Sequence, residues 1–240
     1  MDLTETADIV TSSADYAARF HGPSGQWMLK VQEEYIMSLL NGVHDCSILE
    51  PGGGHAQITP VLLAGGARVT VVGSSEACAE RLEPFRGNPQ LRFQTGNLIE
   101  LNFADREFDS VVSVRFISHC SRWKEFISEI CRVSRHSVII DYPPRRSFNF
   151  FFGALFSLKK RFEGNTRHFA VFSDREIYKE FSNHGFVPER RSPQFFFPMV
   201  VHRLLKCPVF SKLIEKAAAI FGLRALFGSP VLVKMVRGQD

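Results

Sequence analysis

Short apolar runs and helical stripes alternate through the first 141 residues. Residues 14–41 read as a helix: Trp27, Met28 and Val31 begin an apolar face that "YIMSLL" continues. "CSILE" is a short run entering three glycines, the form of a strand buried on both faces. "ITPVLLAGG" reads as a short helix stopped by Gly65 and Gly66. The alternation then repeats. "ARVTVVG" is strand-like, and "SSEACAERL" is helical behind serines suited to capping. "LRFQTG" and "EFDSVVSV" are strands. "SRWKEFISEICRVS" is a helix that gathers Trp123, Phe126, Ile127, Ile130 and Val133 on one face, and "HSVIID" is a fifth strand. This rhythm predicts a parallel sheet covered by helices on both sides.

The pattern changes after Pro144. "SFNFFFGALFSLKKRF" is aromatic with a basic end. "SDREIYKEFSNHG" is a helix opened by a capping box of Ser173 and Glu176 and closed by Gly185. "FVPERRSPQFFF" reads as a strand that Pro188 assigns to a sheet edge. Residues 199–228 read as helical with a break at Pro208, and Val209, Leu213, Ala217 and Phe221 fall at successive i+4 positions. "SPVLVKMVR" is a final strand.

Composition sharpens this reading in three places. A charged fraction of 22% against 45% hydrophobic argues against disorder away from the termini. Five scattered cysteines without a C-x-x-C fit neither a disulfide framework nor a zinc site, so reduced thiols in a cytoplasm and no metal are expected. The acidic N-terminus lacks the apolar core of a secretory signal, and no window of about 18 apolar residues reads as a spanning helix. Charge is uneven. Residues 1–141 hold 12 basic and 18 acidic residues, whereas 142–240 hold 17 and 7, together with 16 of the 23 phenylalanines. An acidic first part joined to a basic, Phe-rich second part suggests a division of labour.

The stretch "ILEPGGGHAQ" carries the chemistry. A glycine turn between a strand and a helix lets backbone N–H groups approach a ligand closely. The dinucleotide spacing fails, because Gly52 and Gly54 are followed by Gln57 where a third glycine is needed. No Gly-Lys-Ser/Thr follows, so this is no P-loop. An acid, Glu50, then x-Gly52-x-Gly54 suits the ammonium of an amino-acid moiety better than a pyrophosphate.

Residues 45–141 resemble the class I S-adenosylmethionine-dependent methyltransferases. "CSILEPGGGHAQITPVLLAGGARVTVVGSSEACAERL" resembles their first two motifs. "GNLIELNFADREFDSVVSVRFISHC" is similar to the later motifs of the branch that includes quinone-biosynthesis enzymes, and "ADYAARFHGPSGQWML" to the leading helix. The resemblance implies that Glu50, Pro51, Gly52, Gly53 and Gly54 hold the methionine part of S-adenosyl-L-methionine. It implies that Gly73 and Ser74 meet the ribose, that Asn97 and Leu98 lie beside the adenine, and that Val114 and Arg115 lie next to the sulfonium. Tyr16 and Arg19 would reach the carboxylate. Three positions depart from the family: Ala56 stands for the third glycine, Gly73 for the acid that holds the ribose hydroxyls, and Asn97 for an Asp.

The implied fold is α/β: a Rossmann-like, doubly wound, mostly parallel seven-stranded sheet with helices on both faces, an antiparallel last strand and helical lid insertions. It would form one domain, with a leading cap (1–44), a cofactor core (45–141) and an acceptor or lid half (142–240). The implied reaction is in-line methyl transfer at oxygen or carbon of a small or lipid-like acceptor, which depends chiefly on placement. His119, after the fourth strand, and His168 are the candidate bases. Asp141 and Tyr142 end the fifth strand near the same rim, and an Asp there also suits a turn cap. His55 is read as part of the turn's spacing, and nothing marks Cys120 as an activated nucleophile. The basic, Phe-rich segments 148–162 and 199–228 fit either an ordinary core with a solvated basic face or a peripheral membrane contact. Phenylalanines in clusters of three suit lipid or core better than base stacking, so nucleic acid, and with it RNA methylation, is the weaker alternative. The absent acid at Gly73 also leaves open a non-catalytic binding or scaffold protein of the same fold.

Overall fold

A computed structural model of the chain describes residues 4–147 and 169–238. His168 and the segment 148–162 therefore lie outside the described residues.

Seven strands form one sheet: β1 (Ser47–Pro51), β2 (Arg68–Gly73), β3 (Leu91–Thr95), β4 (Phe108–Ser113), β5 (Ser134–Tyr142), β6 (Phe186–Phe195) and β7 (Ser229–Arg237). Their order is β3-β2-β1-β4-β5-β7-β6, and β7 alone runs antiparallel to its neighbours. The parallel part is the sheet expected from the alternation, and the antiparallel last strand is the one the family resemblance implied. β6, with its two prolines Pro188 and Pro193, lies at one edge of the sheet, where proline is tolerated, and β3 at the other. The order reverses between β1 and β4, and in an open sheet the crevice at such a point collects ligands at the carboxyl ends of the strands.

The helices are α1 (Ala7–Thr11), α2 (Ala14–Ala18), α3 (Gly22–Leu40), α4 (Thr59–Ala64), α5 (Trp123–Val133), α6 (Asp174–Ser182), α7 (Met199–Leu205), α8 (Pro208–Ile220) and α9 (Leu223–Phe227). The single leading helix expected over 14–41 is broken. Gly22, at φ +77°, and Pro23 start α3 afresh, because proline fits a helix's first turn but not its interior. The helix expected after β2 is instead a 3-10 stretch, Glu76–Phe85. Ser75 caps it through the Ala77 N–H, and Pro84 lacks the N–H that an α-helical turn would return to Glu80. The capping box of Ser173 and Glu176 forms as expected.

Strand alternation divides the core. On β1, Ile48 joins a layer with Ile36, Leu39 and Leu62 of α3 and α4, while Leu49 joins the opposite layer with Phe126, Ile127 and Ile130 of α5. Glu50, two residues after Ile48, therefore points to the α3–α4 side. The stripe Trp123, Phe126, Ile127, Ile130 and Val133 faces the core as its period required. Helix α3 also anchors the second half: Trp27 lies edge-on to Phe195 at 5.4 Å and to His202 at 5.2 Å.

Candidate functional site

The glycine turn is shaped by close approaches. Gly52 has φ +74°, and a Cβ there would stand 3.0 Å from the Phe116 ring. A Cβ on Gly53 would lie 2.8 Å from the Cβ of Glu50, so the turn folds directly over the acid. Ala56, standing for the third glycine, takes φ +52° and terminates the 3-10 turn Gly53–His55. Glu50 is buried, and its Oε2 accepts the Thr59 hydroxyl at 2.6 Å. Burial pushes its carboxyl up to about 8, with the Thr59 bond opposing. Without a cation beside it, Glu50 is largely protonated at neutral pH.

Beside the turn is a cavity of about 420 Å³ bounded by Tyr16, Phe20, His55, Gln57, Arg81 and Arg115. Three buried polar atoms of its lining lack a hydrogen-bond partner: His55 Nε2, Gln57 Oε1 and Arg81 Nε. Such groups are costly in a folded protein unless a ligand or water satisfies them. His55 is neutral, because burial and then the Arg115 guanidinium lower it to about 3. Its Nδ1 accepts the Gln57 N–H at 3.2 Å, which leaves Nε2 as the protonated nitrogen. Arg115 sits at φ +62°, its guanidinium 4.1 Å from the centre of the Phe20 ring and bonded to Gln32 Oε1 at 2.9 Å. Its backbone N–H donates to Asp141 Oδ1 at 2.6 Å, which ties the end of β4 to the end of β5. Burial raises the Asp141 carboxyl, and Arg115 and Gln32 counter it.

A second, largely apolar cavity of about 200 Å³ shares Tyr16, Phe20 and Arg115 with the first. Met28, His119, Asp141, Phe195 and Met199 also line it. The His119 ring packs 5.5 Å from Phe169. The molecule thus sets a polar chamber against an apolar one, with Arg115 in the common wall.

The ends of β2 and β3 are different: the chain's own N-terminal segment covers them. The Glu5 N–H reaches Asn97 Oδ1 at 3.4 Å, and its carboxylate accepts the Ser121 N–H at 3.0 Å. Asp8, fully buried, accepts the Ser74 N–H at 2.7 Å, the Ser74 hydroxyl and the Cys78 thiol at 3.2 Å. Burial and the Asp8 charge push that thiol up to about 11, so it remains an S–H donor. A Cβ on Gly54 would collide with the Ser12 hydroxyl and the Cys78 carbonyl. Residues 5–12 therefore cross the ends of β3, β2 and β1 in turn.

Of the residues singled out from sequence, Tyr16 and Arg115 line both cavities, and His119 lines the second. Glu50, Pro51, Gly52, Gly53 and Gly54 form the turn, with the Pro51 carbonyl accepting the Ser113 hydroxyl. Gly73 and Ser74 lie under Asp8, and a Cβ on Gly73 would strike Cys78. Asn97 also accepts the Ile99 N–H, and Leu98 and Val114 are core residues. Arg19 is exposed, with its guanidinium 5.0 Å from the Tyr16 ring, and lines neither cavity. Asp8 and Arg81 carry no signal in the sequence that marks them for the site, whereas Gln57 closes the glycine stretch. His55, read only as part of the turn's spacing, did carry one: its position inside the glycine turn.

Residues 49–140 match a family profile described as a methyltransferase domain. No curated protein matches the chain by sequence. Among solved structures, the chain is similar to geranyl diphosphate C-methyltransferase from Streptomyces coelicolor A3(2), at 19% identity and TM-score 0.61, covering 87% of this chain and 78% of that one. It is similar to magnesium protoporphyrin IX methyltransferase from Synechocystis PCC 6803, at 15% identity and TM-score 0.60, covering 90% and 84%. The [4+2]-cyclase SpnF also matches, at 12% identity and TM-score 0.60, covering 87% and 80%. Likeness at these identities establishes a shared fold, and a cyclase among the neighbours shows that this fold does not fix one chemistry.

Proposed function

We propose that the chain is an S-adenosylmethionine-dependent methyltransferase acting at oxygen or carbon of a small or lipid-like acceptor. One observation carries this reading: unpartnered buried donors and acceptors surround a chamber at the glycine turn, and an apolar chamber adjoins it at the end of β4. The cofactor's amino-acid end fits the first chamber. Arg115, Tyr16 and the His55 Nε2–H suit its carboxylate. Glu50, buried beneath the turn and in neither cavity's lining, suits its ammonium through its charge rather than by contact. Bound there, the cofactor supplies a methyl group on an electrophilic sulfonium. The protein's part is positional: Arg115, held by Asp141, Gln32 and Phe20, fixes the wall between donor and acceptor. His119, in the apolar chamber, accepts a proton from a hydroxyl or acidic carbon acceptor. Residues 5–12 must move for the nucleoside half to reach Ser74 and Asn97.

Titration calorimetry with S-adenosylhomocysteine tests the reading, and no heat of binding at millimolar ligand would refute it. With labelled S-adenosylmethionine and an extract of small molecules and lipids, His119→Gln is expected to lower methyl incorporation about 100-fold while leaving cofactor affinity unchanged. An unchanged rate removes His119 as the base.

A second reading, a non-catalytic binding protein of this fold, is favoured by the same covering of the nucleoside side by Glu5 and Asp8. Cofactor binding by the intact chain separates the two.

A further inference from the structure

Helix α8 turns its apolar side outward. Ser211, Glu215 and Ala218 are its buried positions, while Val209 is 76% exposed, Leu213 62%, Ile220 73% and the following Phe221 77%. The sequence stripe of Val209, Leu213, Ala217 and Phe221 is thus not a core face. Polar bonds impose this orientation. Glu215 accepts the N–H groups of Phe196 and Phe197, each at 2.9 Å, and meets His202 Nε2 at 3.0 Å. A buried carboxylate with three donors cannot turn to solvent without leaving them unpaired, so the apolar face is held out.

Leu204 of α7 and Leu226 of α9 extend the exposed apolar surface. Helices α7–α9 and their joints carry Arg203, Lys206, Lys212, Lys216 and Arg224, and their one acid is the buried Glu215. Exposed apolar surface on this scale marks an interaction site. Its composition favours one partner. Protein-binding surfaces concentrate Tyr, Trp and Arg at their centres and mix charges at their rims. Here aliphatic residues and phenylalanine are bordered by cations without an exposed acid, as in helices that lie in a membrane interface. No helix among the described residues is long and apolar enough to cross a bilayer.

We propose that the α7–α9 face docks on the surface of a bilayer containing anionic lipid. Val209, Leu213, Ile220 and Phe221 enter the headgroup boundary, and Lys206, Lys212 and Lys216 meet lipid phosphates. Met199, at the start of α7, lines the apolar chamber. On the methyltransferase reading, docking thus brings a lipid-like acceptor to its chamber; docking itself does not depend on that reading.

Flotation with phosphatidylcholine vesicles, with and without about one-third phosphatidylglycerol, tests this on the full chain without cofactor. The wild type is expected to float with the anionic vesicles only, and to release at roughly 0.5 M salt. Leu213→Ser with Phe221→Ser lowers the bound fraction about tenfold, as does Lys212→Glu with Lys216→Glu. These positions are exposed, and circular dichroism verifies that each variant folds. If the apolar pair misfolds, the lysine pair carries the test. Failure to float with either vesicle overturns the proposal, as does flotation indifferent to both variants. Dimerisation lost in the Leu213 and Phe221 variant, without flotation, overturns it in favour of a second copy of the chain.

Discussion

Asp8→Ala is expected to tighten binding of S-adenosylhomocysteine about tenfold. Helix α1 has five residues, too few to hold itself together in water, so its position depends on what its side chains reach. Asp8 is its main anchor, a buried carboxylate with one backbone, one hydroxyl and one thiol donor. Hydrogen bonds to a charged group are worth roughly 1.5–3 kcal/mol, and about 1.4 kcal/mol is tenfold in affinity. A ligand that binds only when the segment has moved sees its affinity reduced by the fraction of molecules in that state. Removing the anchor enlarges that fraction. The donors it leaves at Ser74 then face water or the ribose hydroxyls, so they are not stranded. Deleting residues 1–12 should reproduce the gain, and hydrogen exchange at residues 5–12 should rise in both the variant and the cofactor complex. Weaker binding by Asp8→Ala would reverse the assignment: Asp8 would then be the chain's substitute for the acid absent at Gly73. Absence of binding in wild type and variants alike refutes the cofactor reading itself.

The sheet was legible because a strand buried on both faces must be a short apolar run, whatever surrounds it. The runs at β1, β2, β4, β5 and β7 could be read that way, whereas β3 and β6 are partly exposed and the antiparallel last strand followed only from the family resemblance. The departures have local causes, such as Pro23 restarting α3 and Pro84 within the 3-10 stretch. Helix α8 shows a different limit. Periodicity identifies its apolar face, but not whether that face turns inward. Glu215, reaching back to the N–H groups of Phe196 and Phe197, decides this through contacts between separate elements. At the candidate site, the glycine turn was legible because it follows a strand end, while Arg115 was singled out only through the family resemblance. Asp8 was not, since nothing local links it to Ser74, 66 residues away. The missing acid at Gly73 drew attention to the strand end that Asp8 covers, without naming Asp8.

Glu50→Gln should separate stability from cofactor binding in opposite directions. The folded-state carboxyl is raised from an ordinary 4.5 to about 8 by burial. A raised acid contributes stability that is complete below about pH 4.5 and is lost as pH climbs through 8, because the unfolded chain ionises first. The ligand-free protein should therefore weaken across that interval, by several kcal/mol at most, since each tenfold change in an ionisation constant corresponds to about 1.4 kcal/mol. Glutamine stays neutral and can still accept the Thr59 hydroxyl, so the variant's unfolding free energy should be flatter with pH and exceed the wild type's above pH 8. Binding moves the other way. An ammonium beside Glu50 favours the carboxylate, so wild-type binding at about pH 7 should release a proton and strengthen toward about pH 8. Calorimetry in two buffers of different ionisation heat counts that proton. Glu50→Gln should release none and bind about 10-fold more weakly, the order expected for losing one nearby charge at low effective dielectric. Equal proton release by both proteins would exclude Glu50 as the partner of the ammonium. Equal pH dependence of unfolding would show that the buried carboxyl is not protonated as its surroundings require.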